Sequence, residues 1–278
     1  MVYGIAPVLN ALRNQRRKKL GLYCQDGLAP ANKKDRAAAN TIYDLARESD
    51  RGSCRIMMTM TDKGYLNTLC SNRPHQGFIL KACPLEFKPI LFLPPIEIDR
   101  VEEASPALLA APARVWLALD EVTDPQNFGA LLRSAHFFGV GGVVACAKNS
   151  ASLTPTVSKA SAGAAEVMQV HSTANMMRFL KRCRENGWRV VGTAVSESSV
   201  PLRELSAGPD APPTVVVLGN EGYGVRANVL RECDVLVEVT GGGSGAVAEG
   251  AAASTVDSLN VSVTGGVVLF HLLAAAAR

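Results

Sequence analysis

From residue 114 onward short apolar runs alternate with amphipathic stretches, and that alternation restricts the fold more than any other feature. The runs at 115–119, 142–146, 189–194, 214–218 and 235–239 are valine-rich and of strand length. They lack the polar alternation of a half-exposed strand, so they read as strands buried on both faces, as in a parallel sheet. Helical patterns at 128–138, 173–186 and 261–277 fall between and after them. An α/β class with helices covering a parallel sheet is the expectation.

The first of these helices follows Asp124-Pro125-Gln126-Asn127 and carries Phe128, Leu131, Leu132, Ala135 and Phe138 at core spacing, with Asn127 as a plausible cap and Arg133 off the apolar stripe. The second carries Met176, Met177, Leu180 and Cys183; Thr173 is placed to cap it, and Asn186-Gly187 to end it. Ser258 or Asn260 is suited to cap the third. Gly219-Asn220-Glu221-Gly222-Tyr223-Gly224 follows the run 214–218, where open α/β sheets bind ligands. Its glycines run opposite to the dinucleotide fingerprint, which excludes a Rossmann dehydrogenase; an ordinary glycine-rich turn remains open.

Before residue 114 the chain differs. Residues 1–110 hold 16 Lys/Arg against 11 Asp/Glu, whereas 111–278 hold 13 against 14, so the whole net surplus of +4 comes from the first part. The densest cluster, Arg13, Arg16, Arg17, Lys18 and Lys19, ends a helical pattern and reads either as a solvated helix end or as a polyanion-binding surface. Prolines 84, 89, 94, 95, 106 and 112 lie in a stretch unsuited to a long helix or central strand. The expected organisation is a first domain at 1–89, a Pro-rich linker at 90–113 and a second domain at 114–278.

Seven cysteines form no CxxC pair, and no histidine is spaced for zinc, so neither a disulfide framework nor a metal site is expected. No apolar run of 18 residues is free of polar interruption, which speaks against a membrane span. Neither a secretory signal nor a transit peptide is legible at Met1-Val2-Tyr3-Gly4-Ile5. Residues 241–254 are a Gly/Ala mixture whose composition suggests a flexible loop.

Three segments taken together carry a resemblance: 127–135 (Asn-Phe-Gly-Ala-Leu-Leu-Arg-Ser-Ala), 218–222 (Leu-Gly-Asn-Glu-Gly) and 258–262 (Ser-Leu-Asn-Val-Ser). In that order they resemble the signature motifs of the SpoU (TrmH) branch of the SPOUT RNA ribose 2′-O-methyltransferases. Residues 1–88, with Val2-Tyr3-Gly4-Ile5-Ala6-Pro7 and His75-Gln76-Gly77-Phe78, resemble that branch's small substrate-binding domain, which is similar to ribosomal protein L30e.

The resemblance implies a C-terminal parallel-sheet domain with a deep trefoil knot, an exception to the usual absence of threading. It implies S-adenosylmethionine as cofactor, held near Leu218, Gly219, Asn220, Gly222, Val239, Ser258 and Leu259. Relatives pass from the strand ending near Val239 to the Ser-Leu-Asn motif through a short segment, whereas here the Gly/Ala stretch intervenes. It implies catalytic roles for Asn127, Arg133, Glu221 and Asn260, with a buried Arg133 stabilising charge on the acceptor oxygen and Glu221 orienting that arginine or bracing the cofactor loop. Arginine is too weakly acidic for an ordinary base, so charge stabilisation is the reading its chemistry allows.

The implied reaction is 2′-O-methylation of a nucleotide, a guanosine, in large-subunit rRNA by a homodimer. Arg13, Arg16, Arg17, Lys18 and Lys19 become expected RNA contacts. Mitochondrial members are most similar, which implies a mitochondrion, with another organelle or a bacterial cytoplasm as alternatives. The competing function is a non-catalytic ribosome-assembly factor that kept the fold; the joint presence of Asn127, Arg133, Glu221 and Asn260 argues against it.

Overall fold

The computed structural model describes residues 1–30, 32–49, 56–96, 114–208, 210–241 and 258–274. Through residue 89 the elements are β1 (Val2–Tyr3), α1 (Ile5–Arg13), β2 (Lys19–Gln25), α2 (Lys33–Ser49), β3 (Met57–Thr61), α3 (Lys63–Leu69), β4 (Phe78–Ala82) and β5 (Lys88–Pro89). From residue 115 they are β6 (Val115–Leu119), α4 (Pro125–Phe138), β7 (Gly142–Cys146), α5 (Pro155–Ala160), α6 (Ala164–Val167), β8 (Val170–Thr173), α7 (Met176–Glu185), β9 (Arg189–Thr193), β10 (Val200–Pro201), β11 (Thr214–Leu218), α8 (Ala227–Leu230), β12 (Val235–Glu238) and α9 (Val261–Ala274).

Two compact units result. One joins residues 1–87 with 152–168; the other joins 88–151 with 169–278. In the first, β1, β4, β2 and β3 form a mixed sheet in that order, with β2 antiparallel to β4 and parallel to β3. Ile5, Val8, Ala11 and Leu12 of α1 pack with Leu22, Ile42, Phe78 and Leu80 in its core.

Segment 152–168 lies in the methyltransferase-like part of the sequence, yet it is built into this first unit. Arg16 donates to the carbonyls of Ala165 and Met168, and Arg17 pairs at 2.9 Å with Glu166, whose side chain is 1% exposed. Burial pushes the Glu166 carboxyl up, while Arg17 and the Ser158 hydroxyl pull it back. Lys19 donates to the Leu12 carbonyl. Three of the five expected RNA-binding cations are thus engaged within the unit, whereas Arg13 and Lys18 are exposed.

The second unit holds an eight-stranded sheet in the order β10-β12-β9-β11-β6-β7-β8-β5, and every pairing is parallel. Five strands coincide with the apolar runs. Valines 190, 215 and 217 pack with Met176, Phe179, Leu180 and Cys183 of α7 on one face. Gly265 lets α9 approach the other: a Cβ there would lie 2.4 Å from Leu131 Cδ2 and 2.7 Å from Leu218 Cδ1.

Several local expectations change. Asp124, not Asn127, caps α4, accepting from the amides of Gln126 and Asn127, because Pro125 supplies the first helical residue. Asn175 caps α7 in place of Thr173, which instead ends the short strand β8. The stretch read as a linker from residue 90 begins as core: Leu93 is 1% exposed, its carbonyl accepts from Asn186 Nδ2, and the Pro94 carbonyl accepts from Trp188 Nε1. Pro89 sits at the sheet edge, where a missing donor costs least. Residues 97–113, most of the Gly/Ala stretch at 242–257 and the connection that would carry the expected knot lie outside the described residues. Among the described residues no helix is long and apolar enough to cross a membrane.

Candidate active site

The chain runs outward through β6, β7 and β8, then crosses back to build β9, and β11 inserts beside β6. Strand order therefore reverses between β6 and β11, and parallel sheets bind ligands at the carboxyl ends of such strands. Asp120 and Glu121 follow β6, Gly219–Gly224 follow β11, and between them they build the site.

The loop after β11 closes on itself. Asn220 and Gly224 exchange backbone hydrogen bonds, and a Cβ on Gly219 would lie 2.1 Å from the Gly224 carbonyl carbon, so only glycine fits there. Buried Asp120 accepts from Arg226 at its backbone N–H (3.1 Å), Nε (3.1 Å) and Nη2 (2.5 Å). Glu121, held at φ 60°, pairs with Arg226 Nη1 at 3.0 Å and accepts from the Tyr223 hydroxyl and Asn149 Nδ2. The Tyr223 hydrogen bond is the chief reason its carboxyl lies below the usual range. Asn220 Nδ2 donates to the Glu121 carbonyl at 2.8 Å. The glycine loop is thus tied to the end of β6 by five side chains.

Three of the four expected catalytic residues meet here. Glu221 accepts from the amides of Thr123 and Asp124 at the start of α4 and from Asn127 Nδ2 at 3.3 Å; Asn127 Oδ1 in turn accepts from Asn260 Nδ2 at 3.1 Å. Asn260 Oδ1 accepts from the Ser262 amide and so begins α9. Burial would raise the Glu221 carboxyl, but its backbone and Asn127 donors together hold it below the ordinary value. Fully engaged and ionised, Glu221 is a brace and not a proton acceptor.

Arg133 is not part of this cluster. It is exposed, not buried as expected, and has no polar partner among the described residues. Six residues beyond Asn127 it lies about 240° around the helix, so the turn that buries Leu131 and Leu132 sends Arg133 to solvent. Glu221 therefore ties the glycine loop to the start of α4, and does not orient Arg133.

Beside the cluster lies a cleft of about 420 Å³ lined by Thr193–Val195, Gly219–Gly224, Val237–Val239 and Ser258–Val261. Of the residues expected to hold cofactor, Gly219, Asn220, Gly222, Val239, Ser258 and Leu259 line it; Leu218 is fully buried behind it. The chain segments at the ends of β9, β11 and β12 thus form its walls. No Lys, Arg or His is among its described lining residues, while Glu221 and Glu238 are. The described lining thus carries carboxylates and no cationic side chain. Asp120, Glu121, Arg226 and Glu238 escaped the sequence reading, for which the signal was that Asp120-Glu121 directly follows an apolar strand; Tyr223 was read only as part of the glycine motif.

The fold and this site define a methyltransferase of the SPOUT type, with S-adenosylmethionine as its methyl donor. Residues 114–270 match the SpoU rRNA Methylase family and residues 1–88 the RNA 2'-O ribose methyltransferase substrate binding family. The chain belongs to the SpoU rRNA methylase family.

It is 36% identical to rRNA methyltransferase 1, mitochondrial, of Dictyostelium discoideum over 79% of this chain, and spans only 42% of that relative's length. The protein of the same name from Homo sapiens is 35% identical over 98% of this chain and 72% of its own. The 23S rRNA (guanosine-2'-O-)-methyltransferase RlmB of Pseudomonas syringae is 32% identical over 98% and 94% respectively. The AdoMet-bound rRNA methyltransferase of Sinorhizobium meliloti superposes with a TM-score of 0.67 at 18% identity, covering 98% of this chain and 85% of that one, a likeness of fold.

Proposed function

We propose that the protein methylates the ribose 2′-hydroxyl of a guanosine in large-subunit rRNA, residues 1–89 gripping the RNA and 114–278 carrying the transfer. The observation that carries this reading is the hydrogen-bonded chain Glu221–Asn127–Asn260, which joins three motifs separated by 94 and 133 residues at the rim of one cleft. A factor that only bound RNA would have no use for that assembly.

S-adenosylmethionine supplies an electrophilic methyl group. Gly219, Asn220, Gly222, Val239, Ser258 and Leu259, which line the cleft, would hold it, and the carboxylates of Glu238 and Glu221 would favour its positive charge. The attacking ribose oxygen gives up its proton to water and gains negative charge as it does so, and a guanidinium stabilises that charge without titrating. Arg133, exposed and uncommitted, fills that role. Asn127 and Asn260, each both donor and acceptor, orient the ribose without adding charge.

A second copy of the chain completes the assembly. Phe137 is 81% exposed and Phe270 60% exposed, with Phe138 stacked edge-on against both, a large apolar surface for α4 and α9 to leave in water. Arg133 is one helical turn before Phe137, so docking there brings Arg133 to the junction of two protomers. The guanosine is supported by the name of the Pseudomonas relative, and a mitochondrial compartment by the names of the human and Dictyostelium ones.

Ribose methylation mapped across unmethylated large-subunit rRNA, with and without the purified protein and S-adenosylmethionine, tests this reading. One alkali-resistant guanosine should appear. Methyl groups on bases alone, or no transfer, would overturn it.

A further inference from the structure

The first unit contains a second cleft, of about 580 Å³, which none of the expected catalytic residues lines. Ile5, Leu28, Ala29, Pro30 and Pro74 give it apolar walls; Lys63, Asn67, Asn72, Arg73 and Asp35 give it polar ones. The loop 71–77 that shapes it is backbone-strained: Ser71, Asn72 and Gln76 hold φ of 55°, 59° and 53°, values that side chains other than glycine adopt at a cost. Gln76 Oε1 accepts from Lys159 Nζ at 2.6 Å and from the Ile5 amide at 3.3 Å, which fixes the loop's far end.

One buried side chain determines what this cleft offers a ligand. His75 is 4% exposed, and its Nδ1 accepts from the Gly77 amide at 3.0 Å. That nitrogen is therefore unprotonated, and the neutral ring carries its hydrogen on Nε2. Nε2 lies 3.1 Å from Asn67 Oδ1 and must donate to it. The Asn67 amide is thereby oriented: its oxygen is committed to His75, and its NH₂, without a partner among the described residues, remains for the cleft. Burial and the neighbouring Lys63 and Lys159 both keep His75 neutral, so the arrangement holds at physiological pH.

We propose that this cleft takes one unpaired nucleobase of the RNA, Asn67 donating to an acceptor on the base edge while Leu28 and Pro74 pack its faces. An unstacked base presents an apolar face and a polar edge together, which is what a proline- and leucine-walled cleft with an oriented amide matches. Lys63 and Arg73 at the rim suit the phosphates on either side. A bare phosphate site fits less well, because the Asp35 carboxylate faces the same cleft. The proposal rests on the rRNA reading above, and it adds a base-recognition pocket distinct from the one where methyl transfer occurs.

The test uses the full-length protein and an unstructured RNA octamer of mixed sequence, beside the same octamer with its bases replaced by abasic sites. Asn67→Asp keeps the oxygen that His75 needs and removes the two donors. Thr68→Asp, on the next and exposed position of α3, adds the same charge without touching the cleft. Asn67→Asp should weaken octamer binding about tenfold relative to Thr68→Asp, within the range that removing a single hydrogen-bonded base pairing produces, and the two variants should bind the abasic octamer alike.

Equal weakening by both variants, an effect that persists on the abasic strand, or no binding of the octamer by the wild type would overturn the proposal. Melting temperatures confirm that both variants are folded; if Asn67→Asp does not fold, Asn67→Ser and crosslinking of a 4-thiouridine octamer to peptide 63–77 decide it. Methyl transfer to rRNA by the wild type is measured in parallel. Its absence would count against the enzymatic reading, whereas transfer with an indifferent Asn67 would count against the pocket alone.

Discussion

Replacing Asp120 by Asn should destabilise the second unit sharply, although Asp120 belongs to none of the three sequence motifs. Its carboxylate is 0% exposed and takes three hydrogen bonds from Arg226, whose side chain is 33% exposed. Asparagine preserves the shape and one acceptor but removes the charge. Breaking a buried ion pair from one side costs about 3–5 kcal/mol. Arg226 is partly hydrated and retains Glu121 at 3.0 Å, so the cost falls to the lower end of that scale or just below it, about 2–3 kcal/mol. At about 2–4 °C per kcal/mol for a domain of this size, the melting transition should fall by roughly 4–12 °C.

Differential scanning calorimetry reads it directly, with Glu204→Gln as control. Glu204 pairs with Arg203 at 3.9 Å where both side chains are largely exposed, and such pairs contribute little. S-adenosylmethionine affinity should fall in Asp120→Asn, because the loop from Gly219 to Gly224 loses its anchor. A transition within 1 °C of the wild type (roughly the effect of a surface change) would refute the claim that this pair holds the loop.

Glu221 has a folded-state carboxyl below its ordinary value, so its stabilisation is present above the ordinary carboxylate range and is lost as the pH falls through the folded value. The stability gap between wild type and Glu221→Gln should accordingly narrow on acidification, as melting curves from neutral to acid pH will show. Neutralising Arg13 and Lys18 should flatten the salt dependence of RNA binding by about 0.7–0.9 for each phosphate that is no longer neutralised, while Arg17→Ala, which strips buried Glu166 of its counterion, should lower the melting temperature instead. Phe137→Glu with Phe270→Glu should convert a species of twice 29.4 kDa in light scattering to one of 29.4 kDa and reduce methyl transfer with it.

What was legible in the sequence follows from where the physics is local. The runs at 115–119, 142–146 and 214–218 are buried on both faces, so hydrophobicity alone marked them as parallel strands. Strand β8 has the same burial problem but reads Val-His-Ser-Thr, and its polar residues hid it. The α4 cap was misplaced by three residues because Asn127 also suits that role; Pro125 was the better guide. Asn127, Glu221 and Asn260 were recognisable through their motifs, yet their mutual hydrogen bonds exist only once strand order reverses between β6 and β11. Asp120, Glu121 and Arg226 look like surface charges along the chain, and only the close approach of two strand ends makes them an anchor. The cations from Arg13 to Lys19 looked uniform in sequence, whereas Glu166 and the Ala165 and Met168 carbonyls, some 150 positions away, divide them into buried ties and exposed side chains.

The central claim is that the cleft holds the methyl donor while Arg133, outside it, acts on the acceptor, and the most direct measurement is single-turnover methyl transfer by Arg133→Ala beside calorimetry of S-adenosylmethionine binding. Transfer to large-subunit rRNA should be abolished and cofactor affinity should stay within a few-fold of the wild type, because no described lining residue of the cleft is Arg133. Retention of most of the activity, or a loss of cofactor binding in step with activity, would contradict the account.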